Sequence, residues 1–580
     1  MKYPKLRAME TSRQMVDVFK GYNHNLRISD GELFDMKNMT SDCYPVLSPR
    51  KSRGEYASAI NPQGMIAKDS LCYVDGTKFV INEYPVEMGL SDEPKQLISM
   101  GAYVIIMPDK KWINTLNTTQ FGNIEATWES TGDVTFTLCT ISGEAYDAEA
   151  SPTEPKEPKN MQMWIDTSST PHALKQYSTT SASWVSVATT YVKISATGIG
   201  KAFEQYDGVT IFGVASESLQ DLNASMVIWD KGDDYIVVVG MLDEVTTQTA
   251  AEGKITVSRT MPTMDYVTES DNRLWGCKYG MTDDGQVVNE IYASKLGDFK
   301  NWNCFMGLST DSYAVGVGSD GPFTGAVTHL GYPLFFKENC VHKVYGKYPA
   351  NFQIQDTACR GVQKGCHRSL AIVNETLFYK ARSGICAYDG SLPTEVSYAL
   401  GTVVYSEAVG GSHGNKYYVS MADTAGLAHL FVYDTAKGMW HKEDNLRASA
   451  FCSCRGELYA IDADSKKILT MLGSGEKDQE AVSWMVETGE IGISSPDMKY
   501  ISRLTVRMLL DIGAEVNIYA RYDFSDEWEH LFVTTGTSLR SFSIPIRPKR
   551  CDHMRLRVEG EGMAKIYSIT KTVEQGSDIS

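Results

Sequence analysis

Residues 369–396 read SLAIVNETLFYKARSGICAYDGSLPTEV. An apolar strand runs into a tight turn at Asn374-Glu375, a second strand carries Leu377-Phe378-Tyr379, and an Asp389-Gly390 turn closes the unit. Short alternating strands punctuated by Asn, Gly and Asp are antiparallel neighbours joined by tight turns. The same order recurs at 64–84, 95–117, 272–298, 325–348, 407–443 and 448–471, with Tyr417-Tyr418-Val419 repeating the aromatic alternation. From residue 325 onward the units return about every 40 residues, the period of a four-stranded propeller blade. The expected fold is all-β, a β-propeller of six or seven blades, with an ordinary sandwich of short strands as the alternative.

The first two units stand apart from the rest, and the intervening text sets further boundaries. Between them lie Ser/Thr-rich strands and a Pro/Glu/Lys patch, residues 151–159, which reads as an exposed loop. Met163-Trp164-Ile165-Asp166, Leu174-Lys175-Gln176-Tyr177 and Trp184-Val185-Ser186-Val187 form a strand–turn–strand unit inside this region. After the last blade, residues 473–477 read as a linker. Beyond it Leu504, Val506, Met508 and Leu510 alternate with Thr505, Arg507 and Leu509, and Val516, Ile518 and Ala520 with Asn517, Tyr519 and Arg521, the pattern of an antiparallel sandwich. The expected division is an N-terminal arm at 1–54, propeller at 55–119, an inserted β-rich domain at 120–262, the remaining propeller at 263–472 and a C-terminal antiparallel β-sandwich at 481–580. Residues 11–20 are the one candidate helix. The arm carries ten basic and six acidic side chains, a local +4 suited to an acidic neighbouring surface, with a strand completing a blade as the alternative.

Composition excludes whole classes of function. Fifty-five basic against 72 acidic residues give a net charge of −17, which argues against a chain that coats nucleic acid or an anionic membrane. Forty-eight glycines, 31 tyrosines and only 22% charged residues describe a turn-rich β protein rather than a coiled coil or a disordered chain. The start has no apolar stretch behind its positive charges, and no apolar run approaches the ~20 residues of a membrane helix, so neither a signal peptide nor a membrane-spanning segment is expected. The twelve cysteines are scattered without a CxxC pair and read as reduced, buried thiols of a protein made in a cytoplasm.

The search for chemistry returns refusals. Gly198-Ile199-Gly200-Lys201 lacks the first glycine and the Mg-binding hydroxyl of a phosphate loop, and residues 230–234 have the wrong spacing for a calcium loop. His367 beside Cys366 is the one adjacent Cys/His pair, but neighbours in a strand point to opposite faces. Asp311, Asp320, Asp356 and Glu375 could supply a glycosidase pair, though a chain this acidic always offers such pairs. Trp164, Trp184 and Trp302 could stack on sugars, against the usual fate of Trp as core. The expectation is a chain with no catalytic residue, no cofactor and no metal, hence not an enzyme.

Lys20-Gly21-Tyr22-Asn23, Gly31-Glu32-Leu33-Phe34-Asp35-Met36-Lys37-Asn38 and Tyr44-Pro45-Val46-Leu47-Ser48-Pro49-Arg50 together resemble the start of many tailed-phage virion proteins, where a Gly-x-Asn segment, an acidic turn, an Asn and a Pro-x-Leu-x-x-Arg run precede a β-propeller. Asn272-Arg273-Leu274-Trp275-Gly276 with Asn289-Glu290-Ile291-Tyr292-Ala293-Ser294 is similar to the propeller of tail nozzle and tail stabilisation proteins of short-tailed phages. Arg503-Leu504, Pro545-Ile546-Arg547-Pro548-Lys549-Arg550, Leu556-Arg557 and Gly560 are similar to tail-end modules, and the insert departs from the pattern. The resemblance implies a virion structural protein synthesised in the bacterial host, a cyclic homo-oligomer of six copies that lines the DNA exit path. It implies contact with adaptor, portal-side or tail-tube proteins and with tail fibres or receptor-binding proteins, and transient passage of phage DNA without specific binding. The competing classes are a receptor- or glycan-binding tail adhesion protein and, third, a propeller-based glycan hydrolase.

Overall fold

The computed structural model describes residues 11–283, 285–474, 476–477, 481–493 and 498–575. Among them the regular structure is almost all strand, and the fold is a β-propeller with an inserted β region and a C-terminal antiparallel sandwich. Among the described residues seven blade-type sets of four neighbouring strands follow one another, five of them separate four-stranded sheets and two of them parts of larger sheets. Blade 1 spans residues 62–87, blade 2 96–123, blade 3 266–316, blade 4 325–358, blade 5 371–395 and blade 6 406–442. Blade 7 takes three strands from residues 448–470 and its fourth from Gly54–Ser58, which pairs antiparallel with Lys467–Thr470. By contacts the chain divides into two compact units, Met1–Lys95 with Phe336–Val341 and Thr357–Ser580, and Gln96–Phe335 with His342–Asp356.

In the first unit, the stretch that reveals the blade pattern is a strand buried on both faces, where alternation alone would bury one. Leu377, Phe378 and Tyr379 are all buried, and Phe378 stacks on Tyr417 of blade 6 with ring centroids 5.2 Å apart. The sandwich strands alternate instead. Lys499–Leu510 buries Leu504, Val506 and Met508 completely, and the other sheet of the sandwich buries Val516, Ile518, Leu556 and Val558.

The segment expected to be an arm on a neighbouring surface, or else a strand completing a blade, is woven through this unit as strands; its first ten residues lie outside the described ones. Thr11–Val16 is a strand and not a helix, paired in register from Thr11↔Glu574 to Val16↔Ile569. Its local helical spacing is overridden by a ladder of backbone hydrogen bonds to the far end of the chain. Gly21–Tyr22 and Glu32–Lys37 then bridge Met439–Lys442 of blade 6 to Ser483–Thr488, so that blade 6 and one sheet of the sandwich form a single ten-stranded sheet. The linker reading also needs correction, as far as its residues are described. Ser474 hydrogen-bonds Glu457 and Thr470, and Glu476–Lys477 pairs with Gly54–Ser58, so this stretch is tied to blade 7.

In the second unit, three sheets between Ala126 and Arg259 share one apolar core that includes Val134, Phe136, Ile194, Val209, Ile236 and Val257. Ala126–Glu129 and Thr256–Arg259 are antiparallel partners, so this region leaves and rejoins the chain at adjacent strands. Asp207 anchors it, paired with Arg259 and accepting a 2.8 Å hydrogen bond from Asn301 Nδ2 in the loop of blade 3. No helix among the described residues is long and apolar enough to cross a membrane.

Candidate functional site

The sequence candidates for catalysis do not converge. Cys366 and His367 sit in a 3-10 turn rather than a strand. Burial, with Arg368 beside it, pushes the His367 imidazole down to about 4, while burial pushes the Cys366 thiol up, the reverse of an activated pair. Asp311 is buried and accepts from the backbone N–H groups of Met306 and Leu308, which makes it a turn brace. Asp320, Asp356 and Glu375 are exposed on separate elements. Trp302 is core, its indole N–H donating to the Phe299 carbonyl. The refused phosphate and calcium loops turn out to be partners in packing: a Cβ on Gly200 would stand 1.7 Å from the Gly232 carbonyl, and Lys231 Nζ donates to the carbonyls of Gly200 and Phe203.

Carboxylates gather in a cleft of about 500 Å³ that includes Glu125, Asp283, Glu290 and Tyr292. Glu125 accepts from Lys110 Nζ at 2.8 Å and from the Met261 N–H at 3.0 Å, Glu290 accepts from the Tyr292 hydroxyl at 2.6 Å, and Asp283 from Thr263. A second cleft of about 310 Å³ has Lys380, Glu395, Ser397 and Tyr405 in its walls. Lys380 Nζ is pinned to Gln363 Oε1 at 2.8 Å and the Ala381 carbonyl at 2.6 Å, and burial lowers its pKa. Among the described residues no group of three or more His, Cys, Asp or Glu side chains is placed to hold a metal ion.

Two of the three aromatic candidates, Trp164 and Trp184, do come together. Ala148–Ser151, Met163–Asp166, Ala173–Ser178 and Ser183–Ser186 make a four-stranded sheet, the first pair parallel and the others antiparallel. Period-2 alternation splits it into two faces. Ile165 and Leu174 enter the core of the region, 2% and 1% exposed. Trp164, Lys175, Tyr177 and Trp184 line the opposite face, with Trp164 directly across from Lys175 and Tyr177 from Trp184.

Each member of this face is fixed by a named partner. Trp164 is buried, and its indole N–H donates to Ser151. Trp184, half-buried, meets it edge-on at 5.2 Å and meets Tyr177 at 5.3 Å. Lys175 Nζ lies 5.3 Å from the centre of the Trp164 ring and 2.7 Å from Asp166 Oδ2. The Lys175 hydrogen bond, helped by Ser168, holds the Asp166 carboxyl down at about 2. Residues 154–158, the Pro/Glu/Lys loop, form the facing wall, and the trough between is about 750 Å³. Sequence supplied the aromatic residues and their alternation; strand register, which puts three rings and one lysine on a single face, was not legible.

No protein-family model matches the chain, and no curated protein sequence matches it. Solved structures resemble it at low identity. An exo-β-1,3-galactanase of Phanerochaete chrysosporium is 10% identical over 53% of this chain and 94% of its own, with a TM-score of 0.22. The acylaminoacyl peptidase of Pyrococcus horikoshii is 10% identical over 54% of this chain and 55% of its own, with a TM-score of 0.24. A glycoside hydrolase is 8% identical over 53% of this chain and 96% of its own, with a TM-score of 0.19. The expectation that the chain is not an enzyme is overturned: glycoside hydrolases stand among the solved structures that resemble it. Likeness of this size assigns no activity to the present chain.

Proposed function

We propose that the chain is a structural component of a bacteriophage tail, one subunit of a ring that extends or closes the tail around the path by which DNA leaves. The observation that supports this reading is the position of the residues on which the resemblance to tail proteins rests. Gly21 has φ +84°, and a Cβ there would stand 2.4 Å from the Trp440 carbonyl. Asn38 receives the Arg50 guanidinium at 2.9 Å, donates from its backbone to Glu443 and from its side chain to the Ser483 carbonyl. Asp35 accepts from Lys442 Nζ at 3.0 Å. The motif residues are the joint between a propeller blade and the terminal sandwich. Subunits of a closed ring meet through heterologous contacts, with about six copies expected. A net charge of −17 suits a conduit that DNA slides past without binding. Adaptor or tail-tube proteins on one side and fibres on the other are its partners in this reading. Electron microscopy of the purified chain and of phage particles labelled with an antibody to it tests the proposal: rings and tail labelling are expected, and a monomer that never joins a particle overturns it.

A second reading, receptor- or glycan-binding adhesion, is supported by the aromatic trough at 154–184. Retention of the intact chain on bacterial cell walls is its test. For a propeller-based glycan hydrolase, release of reducing sugar by the chain, lost in Glu125→Gln or Glu290→Gln, would be the deciding result.

A further inference from the structure

We propose that the outer face of the 148–186 sheet is a binding site for a neutral saccharide, whose ring faces stack on Trp184 and Tyr177. The proposal rests on the adhesive reading of this region and names its ligand class. A Trp and a Tyr left half-exposed on one sheet face present broad apolar surface with polar edges, which matches the alternation of C–H faces and hydroxyl rims on a pyranose. The rings are held in advance. Trp184 is wedged edge-on between Trp164 and Tyr177, and Trp164 is locked by Ser151, so little side-chain freedom remains to be lost on binding. At about 750 Å³ the trough has the size of an ordinary ligand site.

Charge selects the neutral class. The charged side chains lining the trough are Glu154, Glu157, Lys156 and Lys175, two negative and two positive. Lys175 is already neutralised by Asp166 and seated over Trp164, and the charge of Lys156 is balanced by Glu154 and Glu157 of the same loop, so the trough offers an anionic polymer no net positive charge. Its ammonium still has N–H groups beyond the one given to Asp166, and the Glu154 and Glu157 carboxylates and the Ser183 hydroxyl border the trough. Donors and acceptors on both walls suit sugar hydroxyls.

The test titrates the full chain with maltohexaose, cellohexaose and chitohexaose, and with hexagalacturonate as the anionic comparison, by calorimetry and tryptophan fluorescence. At least one neutral hexasaccharide is expected to saturate while hexagalacturonate does not. Trp184→Ala and Tyr177→Ala should each weaken binding by roughly tenfold or more at unchanged melting temperature, with Trp184→Phe retaining most of it. Equal binding by Trp184→Ala places the saccharide elsewhere and overturns the site. Tighter binding of hexagalacturonate overturns the ligand class. If no hexasaccharide binds but the chain still sediments with bacterial cell walls, adhesion stands and the saccharide site falls; if neither binds, both fall.

Discussion

Arg53 carries more of the first unit than any exposed charge can, because its guanidinium is 3% exposed and faces two carboxylates. It meets Glu443 at 2.8 Å and Asp444 at 2.6 Å, and Arg50 reaches the same pair at 3.5 and 3.2 Å. Burial drives the Asp444 carboxyl up, but Arg53 and Arg50 outweigh it and hold it below the usual range. Arg53→Ala would leave Glu443 and Asp444 with Arg50 as their one remaining arginine, and breaking a buried ionic group in this way costs up to about 3–5 kcal/mol. Urea denaturation should show that loss, with Arg53→Lys intermediate; a change near zero would mean that water enters the site. The histidines give a second prediction at this scale. Burial, with Lys416 and Lys437 nearby, pushes His441 down to about 3, and His367 lies at about 4. Both are neutral in the fold down to those values, while in the unfolded chain they take a proton near 6.5. The unfolded state therefore binds more protons between pH 6.5 and about 3–4, and stability is lost as pH falls through that window. Melting temperature should decline from pH 7 to pH 5, less steeply in a folded His441→Gln variant. An unchanged slope would show that these rings are already protonated in the native protein.

Elements show how far local sequence reaches. The blade strands were legible because alternation and turn residues act over a few positions: Leu377-Phe378-Tyr379 and Tyr417-Tyr418-Val419 do lie on blade strands, although both faces are buried and not one. Partners far along the chain were not. Gly54–Ser58 completes blade 7 by pairing with Lys467–Thr470, and nothing in residues 54–58 names a strand more than 400 positions away. Thr11–Val16 suggested a helix for the same reason, since its ladder to Ala564–Gln575 leaves no mark in its own text. Likewise the alternation around Trp164 and Trp184 was readable, whereas the register that brings them to 5.2 Å was not. This weaving corrects what truncation should do. Removing residues 1–54 takes away a sheet edge, the bridge between blade 6 and the sandwich, and both arginines of the buried cluster. The truncated chain should be insoluble or melt far below the intact one. Removing only residues 1–16 takes one exposed edge strand and should leave a folded, less stable protein. Circular dichroism melts of the two truncations decide the matter; similar melting for the intact chain and the longer truncation would mean that the sandwich and propeller hold together without the N-terminal strands.

At the scale of the whole molecule, the β region between blades 2 and 3 is the part whose removal tests how the protein is organised. Its core residues, from Val134 to Val257, contact one another in a single cluster. Entry and exit are neighbours, since Ala126 pairs with Arg259 across one ladder. A chain that leaves and returns at adjacent strands can be cut there and closed with a short turn at small entropic cost. Joining Glu125 to Thr260 through a few Gly/Ser residues removes Asp207 and Arg259 together, so neither buried charge is left without its partner. Asn301 loses its bonds to Asp207 and Gly208 and keeps the one to Asp298 at 2.5 Å. Blades 2 and 3 retain their own shared core of Ile98, Ile105, Leu274 and Trp302. The shortened protein should therefore be soluble, give the strand-rich circular dichroism of the intact chain, and lose hexasaccharide binding along with the trough. If the tail reading is right, it should still form rings. Aggregation of the shortened chain would show that the region is part of the propeller core, and rings lost from an otherwise folded protein would move the subunit interface onto the region itself.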